Sequence, residues 1–349
     1  MGAIGRDVDV YNACFCLPDV ATIFPCFSQL LQSAVVGARA RPNLHRDTCA
    51  HVDRDCELQN KMADDELWGV RNAFHLGCFQ QAIAEAMNVS EDSRVLANFY
   101  TYRAYVEMGQ YRMVLDDVGP NAPTTLQAAK ALAAYHAGGR EDKDMAVESL
   151  KEWLASSQDQ QLLLVAALVF SAEGDYKEAL KWVHQSTDLE TMAVVAHIYL
   201  SMNRVELARK QVGLMQQQDD DATLTKLSGA WVSMAEGGDK YQDALYEFQE
   251  LGEKYNMSLM LTNGMALANM HMGKYDEAER LLQEGLGKSA SDVNTLSNMV
   301  VTMHYLRKPQ EVINRYANQL KTLAPTHPYI AKYSELESAF DRCAAQASA

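Results

Sequence analysis

A six-residue phrase, Gly-x-aromatic-x-x-Ala/Val, returns along this chain at nearly constant spacing. It reads Gly77-Cys78-Phe79-Gln80-Gln81-Ala82, then Gly109-Gln110-Tyr111-Arg112-Met113-Val114. It returns as Gly174-Asp175-Tyr176-Lys177-Glu178-Ala179 and as Gly273-Lys274-Tyr275-Asp276-Glu277-Ala278. Weaker copies end at Ala146, Ala208, Ala244 and Val312, and successive final residues lie 32, 32, 33, 29, 36, 34 and 34 apart. Self-similarity at one period implies a single supersecondary unit stacked many times. The residue types say which unit. Glycine supplies the tight turn between two helices, the aromatic starts the second helix and wedges between the pair, and the small residue lets helices approach closely.

The period and phrase together are the signature of tetratricopeptide repeats. They predict an all-α, tetratricopeptide-repeat-like α-solenoid of about eight helix pairs plus a C-terminal capping helix. Composition agrees: aromatics make up 8% of the 349 residues, while Ala, Leu and Met abound, which suits helices better than sheets. Three regions follow. Residues 1–61 lie outside the pattern, carry Pro18, Pro25 and Pro42, and read as a disordered or non-native extension, with Met62 as a natural start. Residues 62–325 form the repeat array. Residues 326–349, after Pro325, form a polar-faced terminal helix and tail of the kind solenoids require.

Charge and cysteine usage exclude several function classes. A formal net charge of −15 argues against nucleic acid, whose phosphates demand a basic footprint, and against a direct electrostatic grip on anionic lipid. The longest apolar run, Leu162 to Phe170, is far short of the ~20 residues needed to span a bilayer, so direct membrane insertion is not expected. Five of seven cysteines precede residue 57, which leaves no disulfide framework for the array and points to a reducing, cytoplasmic compartment.

No constellation in the sequence supports catalysis, a cofactor or a metal. Glu284-Gly285-Leu286-Gly287-Lys288-Ser289 ends like a phosphate-binding loop, but Leu282 stands where the first glycine belongs, and the stretch ends a helix. It reads as a glycine C-cap with Lys288 at the negative end of the dipole. His45, Cys49, His51 and Cys56 match no zinc-finger spacing. His197, His271 and His304 sit alone on helices, as core or interface histidines do. The acids Asp116-Asp117 and Asp219-Asp220-Asp221 read as solvated loops. The chain is therefore expected to bind rather than to catalyse.

In such arrays the first helix of each pair lines the concave side. With the last residue of each phrase numbered 20, positions 2, 5, 9 and 12 look inward. They yield a face that is apolar and methionine-rich, and its candidate groove residues are Phe99, Arg103, Leu164, Leu168, Asn263, Leu267 and Met270. Such a face suits a helix or hairpin laid into a groove. Position 5 carries no Lys and position 9 no Asn, so the carboxylate clamp of chaperone-type tetratricopeptide domains is missing.

Several stretches are more specific than the repeat. Glu66-Leu67-Trp68-Gly69-Val70-Arg71-Asn72-Ala73-Phe74 near the start resembles the coatomer epsilon subunit family. So do the stretch Asp219 to Ser233 with its continuation Gly237 to Ala244, Asn314-Arg315-Tyr316, and the close His327-Pro328-Tyr329-Ile330 with Phe340-Asp341-Arg342. The likeness covers about 63–345. It implies a subunit of the COPI coat that binds and stabilises the C-terminal region of the coatomer alpha subunit, and through it the remaining coatomer subunits. It further implies an indirect link to an ADP-ribosylation-factor GTPase and to Golgi membranes, with a peripheral role there in Golgi-to-ER and intra-Golgi transport. A tetratricopeptide adaptor for a different multiprotein complex is the alternative.

Overall fold

The structure, a computed structural model, describes residues 66–325 and 327–348. The readings made for residues 1–61, including the zinc ligands and the extension, lie outside the described residues. Helix α1 runs through 66–75 and pairs with α2 (Phe79–Ala86). Seven further pairs follow: α3 (Arg94–Glu107) with α4 (Tyr111–Asp117), α5 (Thr124–Ala137) with α6 (Arg140–Ser156), and α7 (Gln160–Ala172) with α8 (Tyr176–Val183). Then come α9 (Leu189–Ser201) with α10 (Val205–Gln218), α11 (Thr223–Glu236) with α12 (Lys240–Lys254), α13 (Leu259–His271) with α14 (Tyr275–Lys288), and α15 (Val293–Tyr305) with α16 (Gln310–Leu323). Helix α17 (Pro328–Ser348) ends the array. No strand occurs among the described residues. The expected all-α solenoid of eight pairs and a terminal helix is what the described residues form.

The repeat phrase acts as a turn. Gly77, Gly109, Gly174 and Gly273 all have φ between 74° and 80°, the left-handed region that closes a helix most cheaply with glycine. The final Ala or Val of the phrase is then fully buried in its pair, as at Ala82, Val114, Ala179 and Ala278. Acidic and hydroxyl N-caps start several first helices: Asp159, Asp188, Ser258 and Asp292 each accept backbone N–H groups of the first turn, offsetting otherwise orphaned donors.

First helices form the inner layer, with α3 on α5, α5 on α7, α7 on α9, α9 on α11, and α13 on α15. Between the sixth and seventh pairs the strong contact is instead α12 on α13. The sixth turn holds two successive left-handed glycines, Gly237 and Gly238; the third, at Gly138-Gly139, holds none, and the other turns hold one residue each.

Three local expectations need correction. Gly285 and Gly287 lie inside α14 rather than at its C-cap, which is Ser289. A Cβ on Gly285 would come within 3.2 Å of Leu259 and 3.3 Å of Thr295, so close helix packing explains that glycine. Asp116 and Asp117 close helix α4 rather than a loop, and Asp117 accepts a hydrogen bond from Tyr102. The terminal helix presents its expected charges, with Glu335, Glu337, Asp341 and Arg342 exposed, but its surface is not wholly polar: Tyr333, Leu336 and Phe340 stand exposed along it as well.

Candidate partner-binding face

The concave stripe is not an open groove. Phe99, Arg103 and Leu164 are completely buried, and Leu168, Asn263 and Leu267 nearly so, with only Met270 half-buried. Their burial corrects the exposure expected for a groove. The array also curls, bringing its first pair onto its later ones. Along α1, Trp68 meets Tyr255, with ring centroids 6.1 Å apart. Asn72 accepts a hydrogen bond from the Thr223 hydroxyl at 2.5 Å. Just past α1, Gly77 lies against Met260, where an added Cβ would meet the Met260 side chain at 3.4 Å. The Asn256 amide donates to the Cys78 sulfur at 3.9 Å. The first pair thus seals against the fifth, sixth and seventh. Helices α9 and α11, which receive it, carry Ala193, Ala196 and Ala230 at buried positions, and small residues let helices approach.

A charged node sits where this seal crosses the axis. Glu190, on α9, accepts a hydrogen bond from the Tyr100 hydroxyl at 3.1 Å. It also faces His75 at 3.5 Å and Arg103 at 3.9 Å. The Arg103 guanidinium lies over the rings of Phe74 and Phe99, 4.8 and 5.4 Å from their centroids, a favourable cation–π arrangement. Burial holds the Glu190 carboxyl well above its usual range, with the Arg103 charge offsetting part of that rise. Burial likewise raises the Tyr100 hydroxyl. Glu107, one helical turn from Arg103, is pushed up by burial to about 8.

Asn263 is also consumed internally. Its amide donates to Thr295 Oγ1 at 2.9 Å, and Thr295 in turn donates to the carboxylate of Asp292. This bridges the seventh and eighth pairs. The sequence reading assigned this stripe's chemistry outward, and in the structure most of it is spent inward. It missed Glu190, Asn72 and Thr223. One signal was available: Arg103 is a lone cation on an apolar stripe, and Glu190 a lone anion starting an otherwise apolar helix. Buried charges of opposite sign seek each other.

His271 stacks on Tyr241 at 4.9 Å, and His197 faces Ser201 at 3.4 Å. Among the described residues no group of three or more His, Cys, Asp or Glu side chains is placed to hold a metal ion.

A sequence profile described as coatomer epsilon subunit matches residues 63–348. The chain belongs to the coatomer epsilon subunit family. The coatomer subunit epsilon-1 of Oryza sativa is 41% identical over 283 residues, covering 80% of this chain and 96% of that protein. Among solved structures, the APC/C hetero-tetramer Cut9-Hcn1 is similar with a TM-score of 0.56 at 14% identity, covering 81% of this chain and 56% of that one. A tetratricopeptide repeat protein from Parabacteroides merdae gives 0.52 at 11% identity, covering 73% of this chain and 96% of that one. These two likenesses establish the repeat architecture alone. Glu66 to Phe74 and Asp219 to Ser233 meet at the Asn72–Thr223 hydrogen bond, so they form the two sides of the ring seal.

Proposed function

We propose that this chain is a structural, non-catalytic subunit of the COPI coat that binds and stabilises the C-terminal region of the coatomer alpha subunit through its helical repeats. Through that subunit it would join the remaining coatomer subunits, cytoplasmic when free and peripheral on Golgi membranes when assembled. Its link to the ADP-ribosylation-factor GTPase is indirect, and its routes are Golgi-to-ER retrograde and intra-Golgi transport. The observation that carries this reading is the family match over 63–348, which spans the whole array rather than one repeat. The charge of −15 suits a role in which a partner protein, not lipid, makes the membrane contact. No described helix is long and apolar enough to cross a membrane.

The concave set contributes unequally in this reading. Phe99, Arg103, Leu164, Leu168, Asn263 and Leu267 hold the ring whose shape the partner meets. Met270, half-buried at the end of α13, is the member a partner side chain reaches without displacing α1. The test is capture from cytosol with the full chain as bait. The alpha subunit is expected in near-equal amount, and Met270→Glu is expected to lower its recovery while leaving the melting transition in place. If a well-folded bait recovers no coat subunit, the coat reading fails and an adaptor role in a different complex replaces it.

A further inference from the structure

Helix α17 leaves the array after its first turn. Tyr329 and Ile330 pack with Leu296, Leu320 and Tyr316, and beyond them the helix runs on to Ser348, with residues 331–346 exposed or half-buried. Along it Tyr329, Tyr333, Leu336, Phe340 and Cys343 recur at alternating intervals of four and three. That is the a/d spacing of a coiled-coil seam. Tyr333, Leu336 and Phe340 are 50%, 41% and 68% exposed, and Cys343 is exposed as a free thiol. A terminal solenoid helix needs a polar outer face to remain soluble. This one carries an apolar stripe, the mark of an interaction site.

The spacing specifies a helical occupant, and the flanking charges specify which helix. With Tyr333 and Phe340 at a, and Leu336 and Cys343 at d, Lys332 falls at g and Glu337 at e. The other flanking positions, Ala339 and Ala344, are small. In a parallel, in-register pair each g residue faces the e residue five positions on in the second helix. Lys332 of each copy then meets Glu337 of the other, twice by symmetry. An antiparallel pair sets g against g and e against e, which opposes like charges. Within one chain Lys332 is held by Glu335 at 3.0 Å, an exposed pair of the weak kind that exchanges readily.

We infer that α17 is a self-association site at which two copies of this chain pair in parallel through the Tyr333–Leu336–Phe340–Cys343 seam. The seam is under three heptads long, so the contact is weak, with a dissociation constant on the order of 10–100 µM. Copies tethered side by side in any larger assembly meet at effective concentrations of about a millimolar, where such a contact forms.

Sedimentation velocity of the reduced full chain, from about 1 to about 300 µM, tests this. The wild type is expected to pass from monomer to dimer, and Leu336→Glu/Phe340→Glu to remain monomeric across the range with an unchanged melting temperature. Lys332→Glu or Glu337→Lys alone is expected to weaken the dimer about tenfold, and the double charge swap to restore it. With Cys14, Cys16, Cys26, Cys49, Cys56 and Cys78 all changed to Ser, diamide is expected to join two copies through Cys343, since parallel register sets the two thiols side by side. A wild type that stays monomeric throughout overturns the proposal. So does a dimer that survives Leu336→Glu/Phe340→Glu. A double swap that fails to restore pairing, or a dimer that resists the Cys343 cross-link, overturns the parallel arrangement. A chain of residues 62–349 that dimerises where the full chain does not would assign the seam to residues 1–61 instead.

Discussion

Asn72 accepts a hydrogen bond at 2.5 Å from Thr223, a residue 151 positions further along the chain. In an open solenoid each repeat touches only its neighbours, and stability is a sum of local terms. Here a hydrogen bond, an aromatic contact between Trp68 and Tyr255 and a buried charge node couple the first pairs to the fifth, sixth and seventh. The array is closed into a ring, and its unfolding is expected to be correspondingly more cooperative.

Removing the Asn72 carboxamide tests that coupling. Asn72→Ala leaves the nearly buried Thr223 hydroxyl without its acceptor, which costs about 1–2 kcal/mol. The local pattern is more diagnostic than the magnitude. Hydrogen exchange is expected to accelerate in α1 and at the start of α11 together, although they are far apart in sequence, while α16 keeps its protection. Acceleration confined to α1 would mean that the seal carries no coupling.

The node at Glu190 should respond asymmetrically. Glu190→Ala removes the nearest carboxylate from the buried Arg103 guanidinium, and breaking a buried pair in this way costs about 3–5 kcal/mol. Replacing both partners by apolar side chains, Arg103→Met with Glu190→Leu, removes the buried cation as well and is expected to cost much less than Glu190→Ala alone. Urea unfolding of the two variants and the wild type measures the difference. Equal losses in both variants would mean that the node's packing, not its charge pairing, is what stabilises the ring.

His136 provides a pH-dependent test. Burial lowers its pKa from 6.5 to about 4, with Lys143 adding to the effect, and its ring stacks on Tyr111 at 6.2 Å. A group with a depressed folded pKa binds its proton more readily when unfolded. Its stabilising contribution is therefore present above pH 6.5 and is lost as pH falls toward 4. His136→Phe keeps the stacking ring and removes the titration. Relative to wild type, the variant is expected to gain about 1–2 kcal/mol between pH 7 and pH 4.5, read from melting curves at the two values. A gap that does not change with pH would show the proton to be irrelevant.

How much of this was legible beforehand depends on the range of each interaction. The turns, the pairing of helices and the buried phrase residues such as Ala179 follow from contacts within about 34 residues, which a periodic sequence displays directly. The seal does not. Whether Leu164 faces a groove or a core depends on the superhelical curl, the product of small rotations summed over pairs, and no single repeat encodes it. Of the stripe, Arg103 is covered by Phe74 of the preceding pair and Asn263 is spent on Thr295 of the following one. The stripe on α17 escaped for a related reason. Tyr329 and Ile330 dock as a cap should, yet the later residues follow a seven-residue pattern rather than the repeat, and the charges Glu335, Glu337, Asp341 and Arg342 drew the reading toward a polar face.

Two of the weaker copies of the phrase, the fifth and the eighth, carry the same turn geometry as the strong ones, and that leads to a stabilising substitution. Asn203 and Arg307 occupy the glycine position of the fifth and eighth copies, with φ of 57° and 51°. Their backbone bonds match the glycine turns as well. Arg307 N–H donates to His304 and Lys308 N–H to Met303, as Gly273 does to Met270 and Lys274 to Asn269. The fold imposes the turn, and the side chain bears the strain. A left-handed residue other than glycine costs roughly 1–2 kcal/mol, with Asn the better tolerated. Glycine returns about 0.5–1 kcal/mol of that through the greater freedom of the unfolded chain. Arg307→Gly is therefore expected to stabilise the protein by about 0.5–1 kcal/mol, Asn203→Gly by less, and Gly273→Ala to destabilise it by about 1 kcal/mol. Thermal melts of the three variants check the ranking. Because α16 and α17 follow the eighth turn, hydrogen exchange in the Arg307→Gly variant is expected to slow most in α15 and α16, and a uniform change would show that the strain is not local to that turn.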